Sequence, residues 1–147
     1  MRRMVKIGSA VSVYDSGPDG ISIAALNLPH GIVPAIAFRV QVYGVTIVFS
    51  SDQNGSEPMF TDFARRASAL VMPMPVPEGA TGAARRLHAP PGVIGDIARE
   101  SGAKQLVLSH LMARSLRNLD QNLAVVRTSY SGPILVANDL ECILLTP

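Results

Sequence analysis

A chain of 147 residues has the length of one domain and is long enough to bury a core, so residues 1–147 read as a single domain. Hydrophobic residues make up 48% and aromatics 5%, with no Trp. Together with a mean hydropathy of +0.27, this suits a sheet-rich α/β domain whose apolar surface expects some cover from a partner. The net charge of +2 arises from scattered pairs, Arg2-Arg3, Arg65-Arg66 and Arg85-Arg86, without a basic run, so nucleic-acid binding is permitted but not indicated.

The single cysteine, Cys142, excludes an intrachain disulfide and fits a reducing, cytoplasmic setting. Its apolar neighbours place it in a core strand. Gly8-Ser9 and Asp15 interrupt the chain before any apolar stretch long enough for an export signal. The apolar runs also fall far short of the ~20 residues a membrane-spanning helix needs, so no membrane association is expected.

In chain order, residues 4–7 and Ala10 to Tyr14 are short apolar stretches, and the turn-rich Asp15-Ser16-Gly17-Pro18-Asp19-Gly20 leads into a strand from Ile21 to Leu28. Pro29-His30-Gly31 breaks that strand into a loop. The runs Ile32 to Val42 and Val45 to Ser50 are separated by Tyr43-Gly44, the length of a tight hairpin. Antiparallel pairing then folds the second strand back along the first and brings Asp52, just beyond its end, close to His30.

Phe60, Phe63 and Ala64 have helical spacing, which predicts a short helix between Met59 and Ser68. A buried strand from Ala69 to Met74 runs into a long connection, Pro75 to Pro91, which is rich in Pro, Gly and Ala and carries Arg85, Arg86 and His88. A helix from Gly92 to Ser101 stops at Gly102. Gln105 to His110 is a strand ending in histidine, and a helix is predicted from Leu116 to Tyr130. Pro133 to Ala137 and Leu140 to Leu145 close the chain as two strands. Strands alternating with helices define an α/β layout.

Each of the three histidines, His30, His88 and His110, falls in a loop or at a strand end, where its side chain can reach a shared cleft. His30 and His110 with Asp52 supply two imidazoles and a carboxylate, a set suited to zinc, manganese or iron. At these wide spacings the set is not specific by itself, and Asp52 would serve equally as an Asx turn residue after its strand.

The succession Pro29-His30-Gly31, hairpin, Phe49-Ser50-Ser51-Asp52, Leu87-His88-Ala89 and Leu106-Val107-Leu108-Ser109-His110-Leu111 resembles the second half of a metallo-β-lactamase-fold hydrolase, closest to the ribonuclease Z and phosphodiesterase branch. The resemblance implies half of an αββα sandwich: one mixed β-sheet with flanking helices. It also implies that His30 is a ligand of a first zinc, His110 of a second, and that Asp52 bridges the two. His88 would act on the scissile group, and Arg85 and Arg86 would assist an anionic substrate or remain solvated. The implied activity is hydrolysis of phosphodiester or ester bonds by a metal-bridging hydroxide, with manganese as an alternative metal.

The sequence departs from the family pattern in two places. Ser51-Asp52-Gln53 stands where the family commonly has Gly-Asp-Thr, and the His-x-His-x-Asp-His motif of the first half is absent. Each ion would then keep two protein ligands. The expectation is a truncated or split C-terminal half, weakly active or inactive alone, whose bare sheet face is covered by a homodimer partner or a separate N-terminal half. The alternative is a non-catalytic subunit that binds another protein through that face. A third reading is a small enzyme with a mononuclear site of His30, Asp52 and His110.

Overall fold

In the computed structural model, which describes residues 8–18 and 20–145, one seven-stranded sheet carries the whole architecture. The predicted stretch at residues 4–7 lies outside the described residues. The sheet opens as an antiparallel meander of β1 (Ala10–Asp15), β2 (Ile21–Leu28), β3 (Ala35–Val42) and β4 (Val45–Phe49). The β3–β4 turn is two residues long because Tyr43 and Gly44 both adopt positive φ, at 46° and 79°, the geometry that matches strand twist in a tight hairpin.

Beyond β4 the pairing becomes parallel, through β5 (Ala69–Pro73), β6 (Leu106–Ser109) and β7 (Ile134–Val136). Parallel neighbours need crossovers, and helices supply them. These are α1 (Met59–Phe63), α2 (Gly82–Leu87) with α3 (Pro91–Ser101), and α4 (Ala113–Leu116) with α5 (Leu119–Ser129). The strand order follows the sequence without reversal. Right-handed crossovers advancing in one direction must all lie on the same face.

The core follows from that geometry. Leu26, Leu28, Ala35, Ala37, Val48, Leu70, Met72, Leu106 and Leu108 face the helices and are buried with Phe60, Phe63, Ile94, Ile97, Ala98 and Val126. Side chains alternate along a strand, so the register places Ile21, Ile23, Ile36, Phe38, Val40, Ile47, Phe49 and Val71 on the opposite face. Ile21, Ile36, Phe38 and Phe49 there remain exposed. The apolar sheet face anticipated from composition is present and bare.

Two helix boundaries have clear local causes. Helix α3 begins with Pro91 in its first position and ends at Gly102 (φ 64°), where Ala103 N–H donates to Ala98 O, a left-handed stop that satisfies the last carbonyls. Helix α1 is shorter than its pattern predicts, and Arg39 from β3 caps its exit by donating to Phe63 O and Arg65 O.

The helix expected from Leu116 to Tyr130 forms as α5, with the separate short helix α4 ahead of it. Three expectations are corrected. The Pro75–Pro91 connection contains a helix, α2. The expected strand over residues 140–145 does not form: β7 has only three residues, and Asn138 and Glu141 close a turn through the Glu141 carboxylate. Leu140 and Leu144 are almost fully exposed. Cys142, expected in the core on the strength of that strand, is exposed too.

Candidate metal centre

The centre is assembled from four loops at the same end of the sheet. His30 lies in the β2–β3 loop, Asp52 just beyond β4, His88 at the end of α2, and His110 directly after β6. Gly31 (φ 63°) brings its loop so close to Leu87 that a side-chain carbon there would stand 2.8 Å from a Leu87 methyl. Tight packing of this kind needs glycine.

The segment carrying Asp52 is tied to the segment carrying His88 by reciprocal hydrogen bonds. Ala89 N–H donates to Gln53 O (2.8 Å), Asn54 Nδ2 to Arg86 O (2.8 Å), and Arg85 Nη1 back to Asn54 O (3.2 Å). Asn54 Oδ1 also accepts from Ser56 N–H, an Asx turn that fixes the loop. The carboxylate and the imidazole are therefore positioned by backbone, and the pairing does not depend on their own attraction.

Asp52 stands among all three rings. Its Oδ2 is 4.0 Å from His30 Nε2, while its Oδ1 is 3.8 Å from His88 Nδ1 and 3.9 Å from His110 Nε2. The His30 and His88 rings meet edge to face with centroids 5.1 Å apart, and those of His88 and His110 lie 6.0 Å apart. His30 Nδ1 lies 3.0 Å from Leu87 O. A carbonyl only accepts, so Nδ1 carries the proton, and in the neutral ring the Nε2 lone pair faces Asp52.

His88 is buried, and its Nδ1 has no hydrogen-bond partner among the described residues. Desolvation is the largest influence on it and lowers its pKa. Asp52 opposes that shift, and the positive charge of His30, His110 and Arg114 adds to it. The fold thus favours the uncharged ring, and acid must protonate it against that preference.

Oxygen and nitrogen donors of His30, Asp52 and His88 all lie within 4.8 Å of one another. Donors ~2.0–2.1 Å from a tetrahedral zinc stand about 3.4 Å apart, so modest side-chain rotation would close this set on one ion. The donor chemistry and the unpartnered buried Nδ1 of His88 both fit a metal.

All the site residues named from sequence except Arg86 have a defined place around this cluster. His30, Asp52, His88 and His110 converge. Arg85 is committed to the Asn54 carbonyl, and Arg86 is exposed. Sequence reasoning missed Arg114, which donates from Nε to Pro75 O (2.8 Å) and whose charge is felt at His88. Its position four residues after His110, at the start of a helix, was the available signal. Gln53 was seen only as a departure from a pattern, yet its side-chain amide is buried and unpartnered among the described residues. Ser51, at the position of the pattern's Gly, holds a left-handed conformation, φ 56°.

No protein-family profile and no curated protein matches the sequence. Among solved structures, the chain is similar to the metallo-beta-lactamase fold protein YhfI from Bacillus subtilis, at 23% identity and a TM-score of 0.74, over 87% of this chain and 50% of that one. It is likewise similar to human tRNase Z, short form (19% identity, TM-score 0.71, 95% and 47%), and to isothiocyanate hydrolase from Delia radicum gut bacteria (13%, 0.65, 95% and 57%). The chain has half of a metallo-beta-lactamase fold. It spans about half the length of these structures.

Proposed function

We propose that the chain carries one half of a metal-dependent hydrolase centre acting on phosphodiester or ester bonds, and that alone it turns over little substrate. The observation that carries this reading is the convergence of Asp52 with His30, His88 and His110 at 3.8–4.0 Å on loops braced by backbone hydrogen bonds. Asp52 and imidazoles drawn from this cluster would hold zinc or manganese. A divalent ion bound there supplies Lewis-acid polarisation of a phosphoryl or acyl oxygen and makes bound water more acidic.

The protein's own groups do the rest. Leu87 O holds the His30 proton on Nδ1 and keeps Nε2 aimed at the carboxylate. Burial lowers the His88 pKa, which favours a neutral imidazole beside the reacting centre. Arg114, fixed on Pro75 O, adds positive charge close to His88 and favours an anionic substrate. Human tRNase Z and a diphosphatase of the PhnP family are among the structures sharing the fold, which supports phosphate chemistry as the first class to test.

The bare face bearing Phe38 and Phe49 supports the accompanying proposal that a second half of the fold, or a second copy of the chain, covers the sheet. It also favours the alternative reading, a non-catalytic subunit that binds another protein through this face. Calorimetry with bis(p-nitrophenyl) phosphate separates the two. The zinc-loaded chain should bind it without appreciable hydrolysis, and Asp52→Asn should abolish that binding. Rapid turnover by the chain alone would contradict the half-site, and binding indifferent to metal would contradict the centre.

A further inference from the structure

We propose that a cleft at the far end of the sheet from the histidines binds a neutral pyranose sugar, recognised by a cross-strand row of Asp15, Ser22, Gln41 and Thr46 and by the ring of Tyr43. This site is separate from the hydrolase centre and does not rest on it.

The antiparallel meander builds the row. Strands β1 and β3 run away from the end that carries His30 and Asp52, so the β1–β2 and β3–β4 turns lie together at the opposite end. Asp15 pairs with Ser22, Ser22 with Gln41, and Gln41 with Thr46. Paired residues point to the same face, on strands about 4.8 Å apart. Counting in twos from the buried Leu26, Ala37 and Val48 puts this row on the helix side of the sheet, where apolar rungs give way to polar ones. Arg39, on the rung between, is held by Phe63 O and Arg65 O at the exit of α1. The polar row and Tyr43 line a cleft of about 690 Å³, within the range of small-ligand sites. A partner seated on the Phe38–Phe49 face would leave it open.

The lining selects the ligand. Serine, threonine and glutamine side chains each donate and accept, which matches sugar hydroxyls that do both. Asp15 accepts only, and no Lys, Arg or His is among the described lining residues, so an anionic ligand is disfavoured. The row is also held in place. Gly17 N–H donates to Asp15 Oδ1 (2.9 Å) and Ser22 Oγ to Gln41 Oε1 (3.4 Å). Thr46 is buried; its N–H donates to Ser68 Oγ (3.2 Å) and its carbonyl accepts from Ser68 N–H (2.7 Å).

Tyr43 is the independent observation. It is 82% exposed and holds φ at 46°, in a hairpin position that asparagine or glycine fills with less strain. Strain of this kind concentrates at functional sites. An aromatic ring lining the cleft offers a surface to the apolar face of a sugar while its hydroxyl stays in water.

The test is an amide chemical-shift titration of the 147-residue chain with the methyl glycosides of glucose, galactose and mannose, with sodium phosphate and spermidine as anionic and cationic controls. We expect at least one glycoside to move amides within 15–22 and 41–46 saturably, with a millimolar Kd, and both controls to leave them in place. Gln41→Ala should bind roughly fivefold more weakly. Tyr43→Asn should lose binding while its thermal midpoint holds or rises, a combination that a purely structural tyrosine would not give. No saturable shift in these residues with any glycoside would overturn the proposal. Binding of phosphate or spermidine in their place would do the same, as would undiminished sugar binding by both variants.

Discussion

Asp52 draws its position from the residues on either side. Ser50 N–H donates to Val71 O and its hydroxyl to Ser51 O, so the strand end is held while Ser51 turns through positive φ and delivers the carboxylate to the three rings. Gln53 pays part of the cost, because its buried side-chain amide lacks partners among the described residues. An unsatisfied buried amide costs about 1–3 kcal/mol. Gln53→Met, of similar size, should therefore leave the fold as stable or up to about 1 kcal/mol more stable in urea denaturation. A clear loss would mean that the amide has a partner that matters.

A second residue carries a pH signature. Tyr130 is buried, donates to Ala103 O (2.9 Å), and burial raises its pKa above the ordinary tyrosine value of 10.0. The folded state then keeps a proton that the unfolded chain has lost, so this contribution is complete below pH ~10 and disappears as pH rises through the folded pKa. Tyr130→Phe should cost about 1 kcal/mol near neutrality and flatten the alkaline part of the stability curve. A curve unchanged above pH ~10 would contradict the assignment.

At the scale of elements, the helix layer depends on a close approach of α3 and α5. A side-chain carbon on Gly95 would stand 2.6 Å from Val126 O, a backbone atom that cannot yield without moving the helix. Overpacking of this kind costs about 1–3 kcal/mol, partly offset by the ~1 kcal/mol that Ala gains over Gly in helix propensity. Gly95→Ala should lower the thermal midpoint. Gly79→Ala, where nothing lies within 4 Å, should leave it unchanged. Equal effects would show that the crossing is loose.

Elements were legible where local chemistry and periodicity agreed. Tyr43-Gly44 between two β-branched runs announced the hairpin, and the hairpin brought His30 toward Asp52, now seen at 4.0 Å. Pro91 and Gly102 bracket α3. Helix α2 was hidden because Gly82–Leu87 is too short to show a helical period, and it forms under tertiary ties from Asn54 and Gln53. Residues 140–145 misled because an apolar run is a strand only if a neighbour pairs with it. The place of Arg114 beside His88 depends on the α4 turn and the Pro75 carbonyl, which no local pattern encodes.

Across the whole molecule, the monotonic strand order forces every crossover helix onto one side and leaves the other side apolar. Phe38 and Phe49 are directly paired across β3 and β4 on that side, and each is about two-fifths exposed, at 40% and 44%. An exposed apolar face of this kind promotes association. Sedimentation should show the chain self-associating, and Phe38→Glu with Phe49→Lys, an opposite-charge cross-strand pair, should shift it toward monomer with its circular dichroism intact. A wild-type chain that stays monomeric at high concentration would argue that this face needs no cover.

The most direct test of the metal centre itself is zinc K-edge X-ray absorption on the chain loaded with one equivalent of zinc. The structure predicts a first shell of nitrogen and oxygen at about 2.0–2.1 Å, with the outer-shell scattering of two imidazoles that Asp52→Asn weakens. A fully hydrated ion, or a zinc–sulfur distance near ~2.3 Å from Cys142, would contradict it.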